Sequence, residues 1–147
     1  LRTRYPNVKV VWAANDPMGL GVIDGIKALK LEPGEDILVG SIDWIPDALE
    51  AVKRGELTVS IGGHFLESAW SVVLLYDYFN DHDFSVESVS FASKMGVLTL
   101  KNIEDYFQYF GKGNWEEINF RKFSRKTNPN ITAYDFTFSA IMEQISN

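Results

Sequence analysis

Apolar residues gather in three short runs, and each run is followed by a helical pattern. Val8 to Ala14 (VKVVWAA) is β-branched and nearly all apolar, the signature of a strand buried on both faces. Asn15-Asp16-Pro17 stops it. Asp16 is a good N-cap and Pro17 suits the first helical turn, where its missing N–H is not needed, so a helix is predicted from Pro17 to about Lys30. Leu20, Ile23, Ile26 and Leu29 give it one apolar face, and Pro33-Gly34 ends it.

The same unit then recurs. Asp36 to Ile42 reads as a second strand, Asp43 to Ile45 as a turn, and Pro46 to Arg54 as a short helix closed by Gly55. Leu57 to Ile61 reads as a third strand, Gly62-Gly63-His64 as its turn, and Phe65 to about Asn80 as a third helix. Strands alternating with helices over short connections predict right-handed crossovers and an α/β fold built on a parallel sheet in three αβα layers. The pattern weakens after Asn80. Val89 to Thr99 is an extended candidate broken by Lys94 and Gly96, and Asn102 to Phe110 reads as a helix. Gly113 to Asn130 reads as loop with a turn of helix around Trp115, and Thr132 to Ser146 as a terminal helix whose Tyr134, Phe136 and Phe138 alternate like a strand. Residues 1–100 are therefore taken as an α/β ligand-binding lobe, and residues 101–147 as a helical and irregular extension packed on it. Leu1-Arg2-Thr3-Arg4-Tyr5-Pro6 resembles the tail of a helix already under way, so the sequence is expected to be a piece of a longer protein, with its lobe incomplete at the N-terminus.

Charge narrows the partners. The net charge is −6, and it is concentrated: between Glu32 and Glu87, 12 acids face only Lys53 and Arg54. An acidic middle repels phosphate backbones, which argues against nucleic acid as a partner. With no cysteine there is no disulfide, thiolate metal site or cysteine nucleophile.

Ligands of open parallel sheets bind beyond the carboxyl ends of the strands. Those ends carry Asn15, then Asp43 and Trp44, then Gly63 and His64. An amide and a carboxylate can hydrogen-bond neighbouring hydroxyls. An indole can pack on a ring, and glycine lets backbone approach a ligand. The set suits a neutral sugar or polyol better than a phosphate. Each residue has a plainer reading too: Asn15 as a strand terminator, Asp16 as a cap, Asp43 as the cap of the helix opening at Pro46, Trp44 as a packed aromatic, His64 as a structural histidine. No G-x-S-x-G or phosphate-loop motif occurs, and Gly19, Gly21 and Gly25 lie inside a helix, where they read as close helix–sheet packing rather than a dinucleotide fingerprint. His64 and His82 lack ligand spacing. No catalytic residue, metal site or cofactor is expected.

The segments VWAANDPMGLGVIDGIKAL and DILVGSIDWIPDALEAVKRGELTVSI, in that order, resemble the C-terminal lobe of type I periplasmic sugar-binding proteins of the ribose- and galactose-binding type. The likeness covers about Tyr5 to Asn80. It implies a Rossmann-like lobe that closes with a second lobe on a sugar, in the periplasm, and delivers it to an ATP-binding-cassette permease. It also implies that Asn15 and Asp43 match the strand-end amide and carboxylate that contact sugar hydroxyls. Where the family often has Gln after the next strand, this chain has Gly62-Gly63-His64, so the resemblance does not carry the identity of the sugar across. Two other readings share the fold: a sensor lobe presenting its ligand to a membrane kinase, and the effector-binding core of a lactose-repressor-like regulator. The expected partners are a sugar or polyol, a permease or sensor kinase, the missing N-terminal lobe, and, through an uncovered Val8–Ala14 edge, a second copy of the chain.

Overall fold

A computed structural model describes residues 4–146. The order of elements is β1 (Val10–Trp12), α1 (Asp16–Ala28), β2 (Leu38–Ile42), α2 (Pro46–Lys53), β3 (Val59–Gly62), α3 (Glu67–Tyr78), β4 (Gly96–Leu98), α4 (Ile103–Phe110) and α5 (Phe138–Ser146). Single 3-10 turns cover His64–Leu66, Phe84–Val86, Trp115–Glu117 and Phe120–Phe123. The sheet order is β1-β2-β3-β4, with β1 parallel to β2 and β2 parallel to β3. Val10, Val11 and Trp12 stand beside Leu38, Val39 and Gly40, and Ser41 and Ile42 stand beside Ser60 and Ile61.

Contacts divide the chain into two units. The first is the chain up to Gly62 together with Val97–Lys112. Its core is Ile23 and Ile26 of α1, Val39 of β2, Ala48, Leu49 and Val52 of α2, and Ile103, Tyr106 and Phe110 of α4, with Leu57 and Trp44 between elements. Burial pushes the Tyr106 hydroxyl up to about 12. Glu56 closes this unit's surface: Lys27 donates to it at 2.5 Å and Arg54 at 2.9 Å, and the Lys27 hydrogen bond is the main cause holding its carboxyl below the usual range.

The second unit is Gly63–Gly96 with Gly113 onward. Its centre is aromatic. Trp70 of α3 stacks on Phe136 at 5.1 Å and meets Phe120 and Phe123 edge-on at 5.4 and 5.0 Å. Fully buried Asp77 is its polar anchor. It accepts from Ser124 Oγ (2.5 Å), Arg125 N (2.7 Å), Lys126 N (3.1 Å) and Tyr134 Oη (2.8 Å). An irregular segment with few backbone hydrogen bonds of its own is thereby fastened to α3.

Several expectations change. The first strand is shorter than Val8–Ala14 and is covered on one face only: Ala13 is buried, but Val10 is 62% and Trp12 51% exposed. It is the first strand in the sheet order; Val11 faces α1, and Val10 and Trp12 lie on the other side of the strand. Of the helix glycines only Gly19 packs closely, 3.0 Å from Ser41 Cβ for a built Cβ, whereas Gly21 and Gly25 meet nothing within 4 Å. Of the extended Val89–Thr99 candidate only Gly96–Leu98 is strand. The C-terminal ambiguity resolves as helix from Phe138, with Tyr134 and Phe136 contributing to the aromatic centre instead of a strand. The helical tail expected over Leu1–Pro6 falls partly outside the described residues, and Arg4, Pro6 and Asn7 form turns.

Candidate ligand-binding site at the strand ends

The β1–α1 junction is built by two residues whose roles differ from expectation. The N-cap is Asn15, with extended φ and ψ (−155°, 169°), and its Oδ1 accepts from Met18 N at 3.0 Å. Asp16, expected as the cap, instead lies inside the first turn and is fully buried. Its Oδ1 accepts from Ser41 Oγ and from Ser60 Oγ (2.9 Å), and its Oδ2 accepts from Ile45 N (3.0 Å). One carboxylate thus ties together β2, β3 and the turn after β2. The charge sits at a helix N-terminus, where the peptide dipoles favour it.

This buried hub fixes the next turn. Asp43 has φ 132° and Trp44 φ 65°, two successive residues in conformations that side chains other than glycine rarely adopt. Each costs about 1–3 kcal/mol, and such strain persists only where the surroundings hold it. Here Asp43 N donates to Ile61 O at 2.9 Å, Trp44 Nε1 to Ser60 O at 3.0 Å, and Ile45 N to Asp16. The turn is therefore held at three consecutive residues. Asp43 lies three residues beyond Gly40, and Asn15 three beyond its partner Trp12, so both stand at the same end of the sheet on adjacent strands. Parallel strands lie about 4.8 Å apart, which brings the amide and the carboxylate within reach of neighbouring hydroxyls on one small ligand. Asn15 uses Oδ1 for its cap, which leaves Nδ2 as a donor.

Trp44, read from sequence as either a stacking platform or a packed aromatic, lies in the core of the first unit. Its indole is 5% exposed, bonded to Ser60 O, and set edge-on to Tyr106 at 5.5 Å. Gly62 makes room for it: a Cβ there would fall 2.4 Å from Trp44 Cγ. Gly62→Ala is expected to cost about 2 kcal/mol through overpacking, measurable as a lowered midpoint in urea with an unchanged slope.

Gly63 and His64 belong to the second unit. Gly63 has φ 89° and precedes the 3-10 turn His64–Leu66, a position where glycine carries no steric penalty. His64 is half-buried, its ring 6.5 Å from Phe65. Among the described residues no cluster of three or more His, Asp or Glu could hold a metal ion, and no helix is long and apolar enough to cross a membrane.

Sequence reasoning missed Asp16 as the hub. The signal was present: Ser41 and Ser60 interrupt two adjacent apolar strands, and both are fully buried. Two buried hydroxyls facing one another across a sheet need hydrogen-bond partners there.

No family model matches the chain. Over 55 residues it is 47% identical to the galactofuranose-binding protein YtfQ of Escherichia coli, covering 37% of this chain and 17% of that protein. Over 61 residues it is 39% identical to the ribose import binding protein RbsB of Salmonella typhimurium, covering 42% of this chain and 20% of that protein. The chain thus spans about a fifth of the length of these relatives. Its backbone superposes on a periplasmic sugar-binding protein from Pseudomonas fluorescens with a TM-score of 0.75 and 27% identity, over 96% of this chain and 43% of the other.

Proposed function

We propose, from the premise that this chain carries a lobe of the type I periplasmic sugar-binding protein fold, that it supplies one wall of a sugar site in the solute-binding component of an ATP-binding-cassette transporter. The sugar is held by hydrogen bonds and released unchanged; the chain performs no chemistry on it. The observation that carries this reading is the turn after β2. Backbone strain at Asp43 and Trp44, held by three hydrogen bonds at the carboxyl end of a parallel sheet, presents Asp43 beside Asn15. Relatives named for galactofuranose, ribose and allose binding support a neutral furanose or pyranose as the ligand. The acidic stretch from Glu32 to Glu87 argues against phosphorylated sugars.

Calorimetry on the longer protein containing this chain tests the reading. Asn15→Ala and Asp43→Ala should each weaken binding of a neutral pentose or hexose by roughly 10- to 100-fold, the loss of hydrogen bonds worth about 1–3 kcal/mol. Unchanged affinity in both variants, with folding retained, would reduce the two residues to structural caps.

A further inference from the structure

We infer that Trp44 is a positioning residue for the sugar site: its indole grips β3, is backed by Tyr106 of α4, and so holds the turn that carries the Asp43 carboxylate. The inference rests on the sugar-site reading above and adds to it the residues that fix the aim of that carboxylate.

The backbone at the end of β2 sets the geometry. Asp43 N donates to Ile61 O at 2.9 Å, a rung between β2 and β3. Ile61 therefore turns its carbonyl towards β2, and the residue before it in the strand, Ser60, turns its own the other way. Ser60 O thus lies along the edge of β3 that faces away from β2. Trp44 follows β2, yet its Nε1 donates to that oxygen at 3.0 Å. The indole must cross β3 to make this bond, and it crosses at Gly62. A Cβ built there falls 2.4, 2.6 and 2.7 Å from Trp44 Cγ, Cδ2 and Cδ1. Two successive residues of one turn therefore hold β3 from both edges, Asp43 by its backbone and Trp44 by its ring.

The same ring keeps the turn in its strained form. Trp44 has φ 65°, a conformation that favours glycine. Returning it to negative φ rotates the Cα–Cβ bond and lifts the indole off Gly62. That breaks the bond to Ser60 O and brings a buried ring into water. A glycine would adopt this φ without strain, but it has no side chain to hold the turn there. Tryptophan supplies the hold, as a large rigid ring with one donor at its far end.

α4 backs the ring. Tyr106 is buried and stands edge-on to the indole, with 5.5 Å between centroids and 68° between planes. α4 is fastened to α2 in turn by Lys53, which pairs with Glu104 at 3.2 Å and lies 5.1 Å over the Phe107 ring. A hydrogen bond weakens steeply off its axis. A turn free to rotate would spread the Asp43 carboxylate over orientations of which few meet a sugar hydroxyl. Trp44 acts through Asp43, so its effect on binding disappears when that carboxylate is absent.

Calorimetry on the longer protein containing this chain, with D-ribose, D-allose and D-galactose, tests this through double-mutant cycles. Trp44→Phe keeps an aromatic ring beside Tyr106 and removes the donor to Ser60 O. Tyr106→Leu leaves Trp44 intact and removes the ring edge behind it. Trp44→Phe should weaken binding of the best-bound sugar by roughly ten-fold, and Tyr106→Leu by about three-fold. In an Asp43→Ala background each should change affinity by less than about two-fold. Urea melts check that each variant folds, and Tyr106→Leu alone decides if Trp44→Phe does not. Weakened binding in Asp43→Ala with wild-type affinity in both Trp44→Phe and Tyr106→Leu overturns the inference and leaves the sugar site standing. So does a Trp44→Phe loss that persists in full without the Asp43 carboxylate, which would make the ring a direct sugar contact. Wild-type affinity in Asp43→Ala, or no binding of any of the three sugars, overturns the sugar-site reading and the inference with it.

Discussion

Replacing Asp16 by Ala is expected to lower the melting temperature by about 10 °C. The carboxylate is fully buried, and its removal leaves Ser41 Oγ, Ser60 Oγ and Ile45 N facing one another without an acceptor. An unsatisfied buried donor costs about 1–3 kcal/mol, so a total near 3 kcal/mol is conservative. For a chain of this length each kcal/mol shifts the midpoint by about 3 °C. Asp16→Asn should cost less. It keeps Oδ1 for the two hydroxyls, which can rotate, and sets an NH₂ against Ile45 N. Scanning calorimetry of the three proteins separates these outcomes, and equal midpoints for wild type and Asp16→Ala would contradict the hub. The damage should extend to ligand binding, because the Asp43–Trp44 turn is held in part through Ile45 N.

Asp77→Ala is the second large effect, and it falls on the second unit. Burial alone would push this carboxyl up. The hydrogen bonds from Ser124, from the backbone N–H groups of Arg125 and Lys126, and from Tyr134 outweigh it, so Asp77 titrates below its ordinary value of 3.8. Tyr134 is shifted upward in turn, chiefly by burial and then by its bond to the Asp77 carboxylate. A carboxylate whose folded value is depressed contributes stability that is complete above its unfolded value, and that stability is lost as pH falls through the folded value. The second unit should therefore hold its full stability at neutral pH and lose this contribution below about pH 4. Asp77→Ala should remove about 3 kcal/mol at pH 7 and flatten the acid limb. Denaturant melts followed by near-ultraviolet circular dichroism, with Trp70 in the aromatic centre as reporter, give both numbers. A wild-type acid limb preserved in Asp77→Ala would show that the loss comes from other groups.

The parts of the fold that could be read from sequence are those where local pattern and tertiary packing agree. Strand–turn–helix units placed α1, α2 and α3 to within a few residues, with Pro at the start of α1 and α2, because capping and apolar periodicity are local. The strand-end positions of Asn15 and Asp43 followed from the parallel sheet. Three features depended on contacts between residues far apart in sequence and were read wrongly or left open. Asp16 looked like a cap because its acceptors' partners, Ser41 and Ser60, lie 25 and 44 residues away. Trp44 was left open between packed aromatic and stacking platform because nothing near it in sequence announces Gly62, the glycine beneath its ring. Gly21 and Gly25 looked packed because periodicity shows which face a residue occupies and not what covers that face. Beyond Asn80 the chain is organised by Asp77 and an aromatic cluster more than by repeating pattern, so periodicity had little to report.

The most direct test of the account is an amide-resolved NMR titration of the 147-residue chain with neutral furanose and pyranose sugars. The account predicts a weak, saturable response confined to the amides of Asn15, Asp43 and Gly62, with sugar phosphates inert. A saturable response mapped elsewhere, or none at these amides up to the solubility limit of every neutral sugar tried, would contradict a sugar site at the strand ends.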